Sequence, residues 1–96
     1  MIKVMEGHKV KPGENIQDIF LKLRSSAMQY PGYISAENLV GEKDTSIVVF
    51  VSTWNAIQNW VAWENSGIRT ALQQQAKELL VEETKVSIYT IVPTHW

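Results

Sequence analysis

Three tryptophans, one asparagine, one histidine and two carboxylates are the side chains in this sequence whose types and spacing can do chemistry. Trp54, Trp60 and Trp63 fall within ten positions of one another. An indole offers a large apolar face and a single N–H donor, so such a cluster can wall a pocket that stacks a planar molecule. The competing reading is structural: Trp60 and Trp63, three residues apart, plug the end of a core. Asn59 stands four residues before Trp63, which places both on one helical face. An amide and an indole N–H aimed into one cavity can hold a phenolate and stabilise the oxygen adduct formed from it; otherwise Asn59 is a solvent-facing helix residue.

His8 lies in an N-terminal strand and His95 in a C-terminal tail. Histidine is the natural proton acceptor near neutral pH, so a His8 turned inward can take a proton from a phenol or quinol. It shares parity with Ile2, Val4 and Glu6, but a position near a strand end is also consistent with exposure. Glu6 and Glu37 carry the same ambiguity. A carboxylate enclosed by apolar groups has a raised pKa and can serve as a base, whereas one at a water-facing strand end does not. Glu37 reads as the latter and Glu6 stays open. Tyr33, Phe50 and Tyr89 are expected to line a pocket or an interface, the tyrosines each with a hydroxyl to give. Arg69 can pair with an anionic group but reads as a solvated surface residue, as does the run Gln73-Gln74-Gln75.

Other chemistries find no support. The chain has no cysteine, so disulfides, thiolate metal sites and thiol nucleophiles are excluded. Two distant histidines without matching carboxylates make no metal site, and no Gly-rich phosphate loop, flavin or nicotinamide signature or hydrolase triad is present. No cofactor is expected. A net charge of −1, with nine basic residues scattered rather than clustered, argues against nucleic acid or an anionic membrane surface as partner. No apolar run approaches the roughly 20 residues that span a bilayer, and no signal-like segment opens the chain. A cytoplasmic protein is expected.

These residues must be positioned by elements that fit within 96 residues, one domain's worth of chain. Met1 to Val10 reads as a strand that ends at the turn Lys11-Pro12-Gly13. Ile16, Ile19, Phe20, Leu23, Ala27 and Met28 follow at helical spacing, capped by Asn15 or Glu14 and stopped by Pro31-Gly32. Tyr33 to Val40 alternates as a second strand. A polar turn at Gly41 to Asp44 leads to the β-branched run Ile47 to Val51, making a hairpin. Asn55 is a plausible cap for a short helix over Ile57 to Glu64, broken at Asn65-Ser66-Gly67. Ile68, Leu72, Ala76, Leu79 and Leu80 continue as a second helical stretch. Thr84 to Val92 is a last strand, and Pro93 to Trp96 a tail. The order β-α-β-β-α-β is the ferredoxin-like, split βαβ pattern: an α+β fold in one domain, with an antiparallel sheet covered by helices on one side. Apolar residues on both parities of the third and fourth strands would leave the other side as a large exposed patch. Face-to-face pairing of two sheets in a homodimer removes it.

Ile2-x-Val4 with Val10-Lys11-Pro12-Gly13, the segment Tyr30-Pro31-Gly32-Tyr33, and above all Val51-Ser52-Thr53-Trp54-x5-Trp60-x2-Trp63-x2-Ser66 resemble the antibiotic biosynthesis monooxygenase family over nearly the whole chain. The resemblance implies a dimeric α+β barrel. It also implies a cofactor-independent monooxygenase that oxidises a small phenol or quinol in the barrel cavity, with Asn59, Trp63 and His8 as catalytic candidates and Trp54, Trp60, Tyr33, Phe50, Tyr89 and Glu6 around the substrate. A dimer that binds a small apolar molecule without turnover is the alternative. The haem-degrading branch of that family carries an Asn in the first strand and a His beyond the Trp that corresponds to Trp63. Here those places hold Glu6 or Gly7 and Gln73 or a neighbour, and Gln is a poor axial ligand for iron. The quinol-oxidising relatives' His likewise gives way to Ile68-Arg69.

Overall fold

In a computed structural model of the chain, residues 1–94 are described. Four strands and three helices follow one another as β1 (Ile2–Lys9), α1 (Gln17–Ala27), β2 (Tyr33–Val40), β3 (Ile47–Trp54), α2 (Ile57–Glu64), α3 (Gly67–Lys77) and β4 (Lys85–Thr90). The sheet order is β2-β3-β1-β4, antiparallel throughout. This is the ferredoxin-like arrangement expected from the sequence.

Two Pro-Gly pairs set the chain's reversals around α1. Gly13 and Gly32 have φ of 81° and 85°, which an L side chain adopts only under strain. The Glu14 N–H bonds Lys11 O at 3.1 Å, and the Tyr33 N–H bonds Tyr30 O at 3.3 Å. Proline second and a positive-φ glycine third is the residue pattern of a type II turn. Between these turns, the N-cap of α1 is Ile16, with no side-chain cap, rather than the expected Asn15 or Glu14. Asn15 Oδ1 still accepts the Gln17 N–H at 2.9 Å from one residue earlier. The helix buries Ile19, Phe20, Leu23, Ser26 and Ala27.

The expected cap of α2 moves by one residue. Ala56 takes the N-cap position and no side chain bonds there. The Asn55 N–H is instead bonded to Gly32 O at 2.8 Å, which ties the start of α2 to the turn before β2. The break before α3 is a true cap: Ser66 Oγ accepts the Arg69 N–H at 3.3 Å. A β-bulge between Tyr33 and Ser35 shifts the register at the start of β2.

The period of two in β1 sorts the sheet's faces. Ile2, Val4, Glu6 and His8 are buried, while Lys3, Met5 and Gly7 between them are only partly so. Cross-strand partners share a face, so Trp54, Ser52, Phe50 and Val48 join the buried set, each lying opposite one of those residues. The helices pack on this side, and the core runs through Val4, Phe20, Leu23, Phe50, Trp54, Trp63, Leu72 and Ala76. On the opposite, open face, Leu39, Ile47 and Tyr89 are 44, 43 and 54% exposed.

Candidate functional site

Polar groups gather inside the apolar layer between sheet and helices. Glu6 is fully buried, with Phe50 beside it on β3 and Val86 on β4. Its Oε1 accepts from the guanidinium of Arg69, whose side chain is 12% exposed. The cap at Ser66 aims Arg69 inward from the first turn of α3. Its guanidinium carbon lies 5.9 Å from the centre of the Trp60 ring and 5.4 Å from that of Trp63, within the range of a cation–π contact. Burial pushes the Glu6 carboxyl above its ordinary range, the Arg69 charge and hydrogen bond pull it back, and Glu64 adds a smaller upward push.

His8 sits two residues further along the same face. Its Nδ1 lies 3.2 Å from the carbonyl of Val48, its partner across the ladder. A carbonyl only accepts, so Nδ1 carries the proton. Phe20 meets the ring at 4.9 Å and 61°. Burial lowers the His8 pKa, Arg69 lowers it further, and hydrogen bonds to the Val48 and Glu6 backbones oppose the change. His8 is therefore neutral at pH 7. The Nδ1–H tautomer leaves Nε2 as a buried lone pair, and Nε2 has no partner.

Aromatic rings form the wall. Trp54 and Trp63 stack at 5.9 Å and 29°, Phe50 lies 6.3 Å from Trp63, and Phe20 lies 5.7 Å from Phe50. Trp63 Nε1 donates to Ser26 Oγ at 3.1 Å. Besides His8 Nε2, the buried side-chain atoms without a hydrogen-bond partner among the described residues are Glu6 Oε2, Asn38 Oδ1, Ser52 Oγ, Trp54 Nε1, Trp60 Nε1, Arg69 Nε and Gln73 Nε2. All come from the covered strand face or from the helices over it. Unpaired buried polar atoms are costly, and a bound molecule or water in this layer would offset that cost. Gln73 also borders a groove of about 460 Å³ between α3 and residues 80–84, shared with Lys77, Leu80 and Val81.

Six of the residues singled out in the sequence come together here: Glu6, His8, Phe50, Trp54, Trp60 and Trp63. Tyr33 sits at the margin, edge-on to Trp54 at 5.7 Å. Asn59 does not face Trp63 across a cavity. Its side chain packs on Gly32, where a Cβ would fall 2.2 Å from Asn59 Cγ, and the indole N–H of Trp63 is already given to Ser26. Tyr89 pairs with Lys3 and so belongs to the open face, away from the buried cluster. Glu37 is exposed as expected, and His95 lies outside the described residues. Two residues expected at the surface prove internal: Arg69, and Gln73 with its amide nitrogen buried. Both share the face of α3 that carries Leu72 and Ala76, the helix's buried residues. That three- and four-residue spacing was the available signal.

No family model matches the sequence, and no curated protein matches it. Solved structures do. A structure of an antibiotic biosynthesis monooxygenase superposes with a TM-score of 0.85 at 20% identity, over 97% of this chain and all of that one. A mutant of SnoaB, a cofactor-independent oxygenase from Streptomyces nogalater, gives 0.86 at 12% identity, over 97% of this chain and 94% of the other. A conserved protein from Methanosarcina mazei Go1 gives 0.86 at 19%, covering 92% and 89%. The class defined is thus a ferredoxin-like α+β domain with a buried polar cluster under its helices. In particular, the chain has the fold of the antibiotic biosynthesis monooxygenases, as the sequence resemblance implied. No helix among the described residues is long and apolar enough to cross a membrane.

Proposed function

We propose that this protein is a cofactor-independent monooxygenase of small quinols, and that its reaction chamber is the layer containing His8, Glu6 and Arg69. The observation that carries the reading is the state of His8: neutral, with Nδ1–H fixed on the Val48 carbonyl and Nε2 buried and unpartnered. That is the state a general base needs before it meets its substrate. A quinol hydroxyl gives its proton to Nε2, and the quinolate left behind is electron-rich enough to react with O2. The quinol is its own reductant. One oxygen atom enters the ring as a hydroxyl, the other leaves as water, and the product is the hydroxyquinone. Trp54, Trp63 and Phe50 supply flat apolar walls for the ring. Asn59, in this reading, holds the Gly32 turn rather than the reacting oxygen.

The open sheet face completes the proposal. Leu39, Ile47 and Tyr89 leave apolar surface exposed on it, supporting a homodimer in which two such faces pair. A cytoplasmic location fits the composition.

Oxygen consumption with a series of hydroquinones tests the chemistry. His8→Gln is expected to slow it by roughly 10²–10⁴-fold, the usual worth of a positioned base. Wild-type rates in that variant would exclude His8. The rival reading, a barrel that binds a small aromatic without turnover, is favoured by one observation: Trp63 spends its N–H on Ser26, and the Asn59 side chain packs on Gly32 rather than beside Trp63. Tight binding of quinols without any oxygen consumption would establish it.

A further inference from the structure

The mechanism above uses His8 and the aromatic walls but leaves the buried ion pair unexplained. We infer that the Arg69–Glu6 pair is a ligand-exchangeable anion site: the chamber's substrate is an aromatic carboxylate, which takes Arg69 from Glu6 while Glu6 picks up a proton. This rests on the chamber being the binding site.

The helices over Glu6 carry surplus donors. Arg69 Nε, Trp60 Nε1 and Gln73 Nε2 are all buried and unpartnered. They come from one short stretch of structure: Arg69 and Gln73 stand one turn apart on α3, and Arg69 lies over the Trp60 ring. Glu6 engages the guanidinium through Oε1 alone, so its other oxygen has no donor. A guanidinium held by one carboxylate oxygen falls short of the two-pronged pairing it makes with a carboxylate presented squarely. An incoming carboxylate can form that pairing, in a layer whose Trp60 and Gln73 N–H groups are still unsatisfied. Its ring would then lie among Trp54, Trp63 and Phe50.

Two carboxylates beside one guanidinium cannot both stay ionised in a buried site. Glu6 is the one that yields, because it is fully buried. Its charged and titratable neighbours are Arg69 from α3, Glu64 at the end of α2 and His8 on its own strand. Beside it on β3 and β4 are Phe50 and Val86, which do not titrate. Once protonated, Glu6 becomes a donor and can bond the ligand carboxylate it has made room for.

Calorimetry at pH 8, without oxygen, tests this with 2,5-dihydroxybenzoate and its uncharged counterpart hydroquinone. Each is titrated in two buffers of different ionisation heat. The carboxylated probe is expected to bind at least about tenfold more tightly and to take up about one proton per site, whereas hydroquinone takes up none. In Glu6→Gln the uptake disappears while the carboxylated probe still binds. Gln73→Glu, at a half-buried position, is expected to weaken that probe by roughly tenfold and leave hydroquinone within about twofold. Binding of the carboxylated probe without proton uptake, or no more tightly than hydroquinone, would overturn the inference. Oxygen consumption with hydroquinone would still support the reading beneath it. Binding of neither probe, with no oxygen consumed, would remove both.

Discussion

The two faces of the sheet distribute polarity the opposite way from what stability alone would favour. The covered face holds Glu6, His8 and Ser52 among Val4, Phe50 and Trp54, and the helices above it add Arg69 and Gln73. The open face, nominally the side toward water, shows Leu39, Ile47 and Tyr89. Burying a charge and exposing grease both cost free energy. A sheet that does each on its own side is specialised on both, which is what the proposal uses: one face for a ligand, the other for a second sheet. The difference teaches where to look for function, namely where a strand's alternation places the residue that packing would not choose.

Breaking the covered face should have the largest effect. Arg69→Ala leaves Glu6 buried without its counter-charge, and a loss of about 3–5 kcal/mol is expected in urea denaturation. Replacing the pair together, as Glu6→Leu with Arg69→Met, should restore most of that loss while abolishing any anion binding. A double variant as unstable as Arg69→Ala would show that the pair holds the fold rather than a ligand.

At the turn that feeds β2, Gly32→Ala combines a positive φ with a clash against Asn59. A cost of about 1–3 kcal/mol is expected. Asn59→Gly in the same chain should recover the part due to the clash. If Asn59 served the reaction instead, Asn59→Gly would recover none of that loss and would cost activity.

A pH dependence follows from His8. Its folded pKa lies below its ordinary value of 6.5, so the unfolded chain binds the proton first as pH falls. The stability contributed by a neutral His8 is full above 6.5 and is lost as pH drops through that window to the folded pKa. The loss is about 1.4 kcal/mol for each unit separating the two. Denaturation curves of His8→Gln should lack this component. Oxygen consumption in the wild type should persist to a lower pH than an ordinary histidine base allows.

The open face should show the smallest change in the fold and the clearest change in mass. Tyr89→Glu, opposite Lys3 on an edge strand, is expected to alter chain stability by no more than about 0.5 kcal/mol. Light scattering should then report a single chain, and two for the wild type. An unchanged mass would move the dimer contact elsewhere.

How much of this the sequence disclosed differs between fold and site. The switch from two- to three-and-four-residue spacing located every strand and helix, because each turn carries Pro-Gly or a polar cluster whose chemistry is local. The site depended on which side of the sheet the helices cover, and that is a long-range fact. Parity put Glu6 and His8 with Ile2 and Val4, yet nothing near them in sequence says that this parity lies under α1, α2 and α3. Arg69 and Gln73 look like surface residues by type; only their spacing from Leu72 and Ala76 betrays an inward face. Tyr89 has the right chemistry and the wrong parity, and Asn59 has the right spacing from Trp63 but is drawn instead to the bare Cα of Gly32.

The claim on which the rest depends is that a neutral imidazole waits in the covered layer with its Nε2 lone pair free. Nitrogen-15 NMR of the histidine rings, followed from pH 8 to pH 5, measures this directly. The account predicts that the His8 ring is the Nδ1–H tautomer at pH 7 and takes its second proton below the ordinary histidine range. A His8 that is the Nε2–H tautomer, or that titrates at or above 6.5, would contradict it.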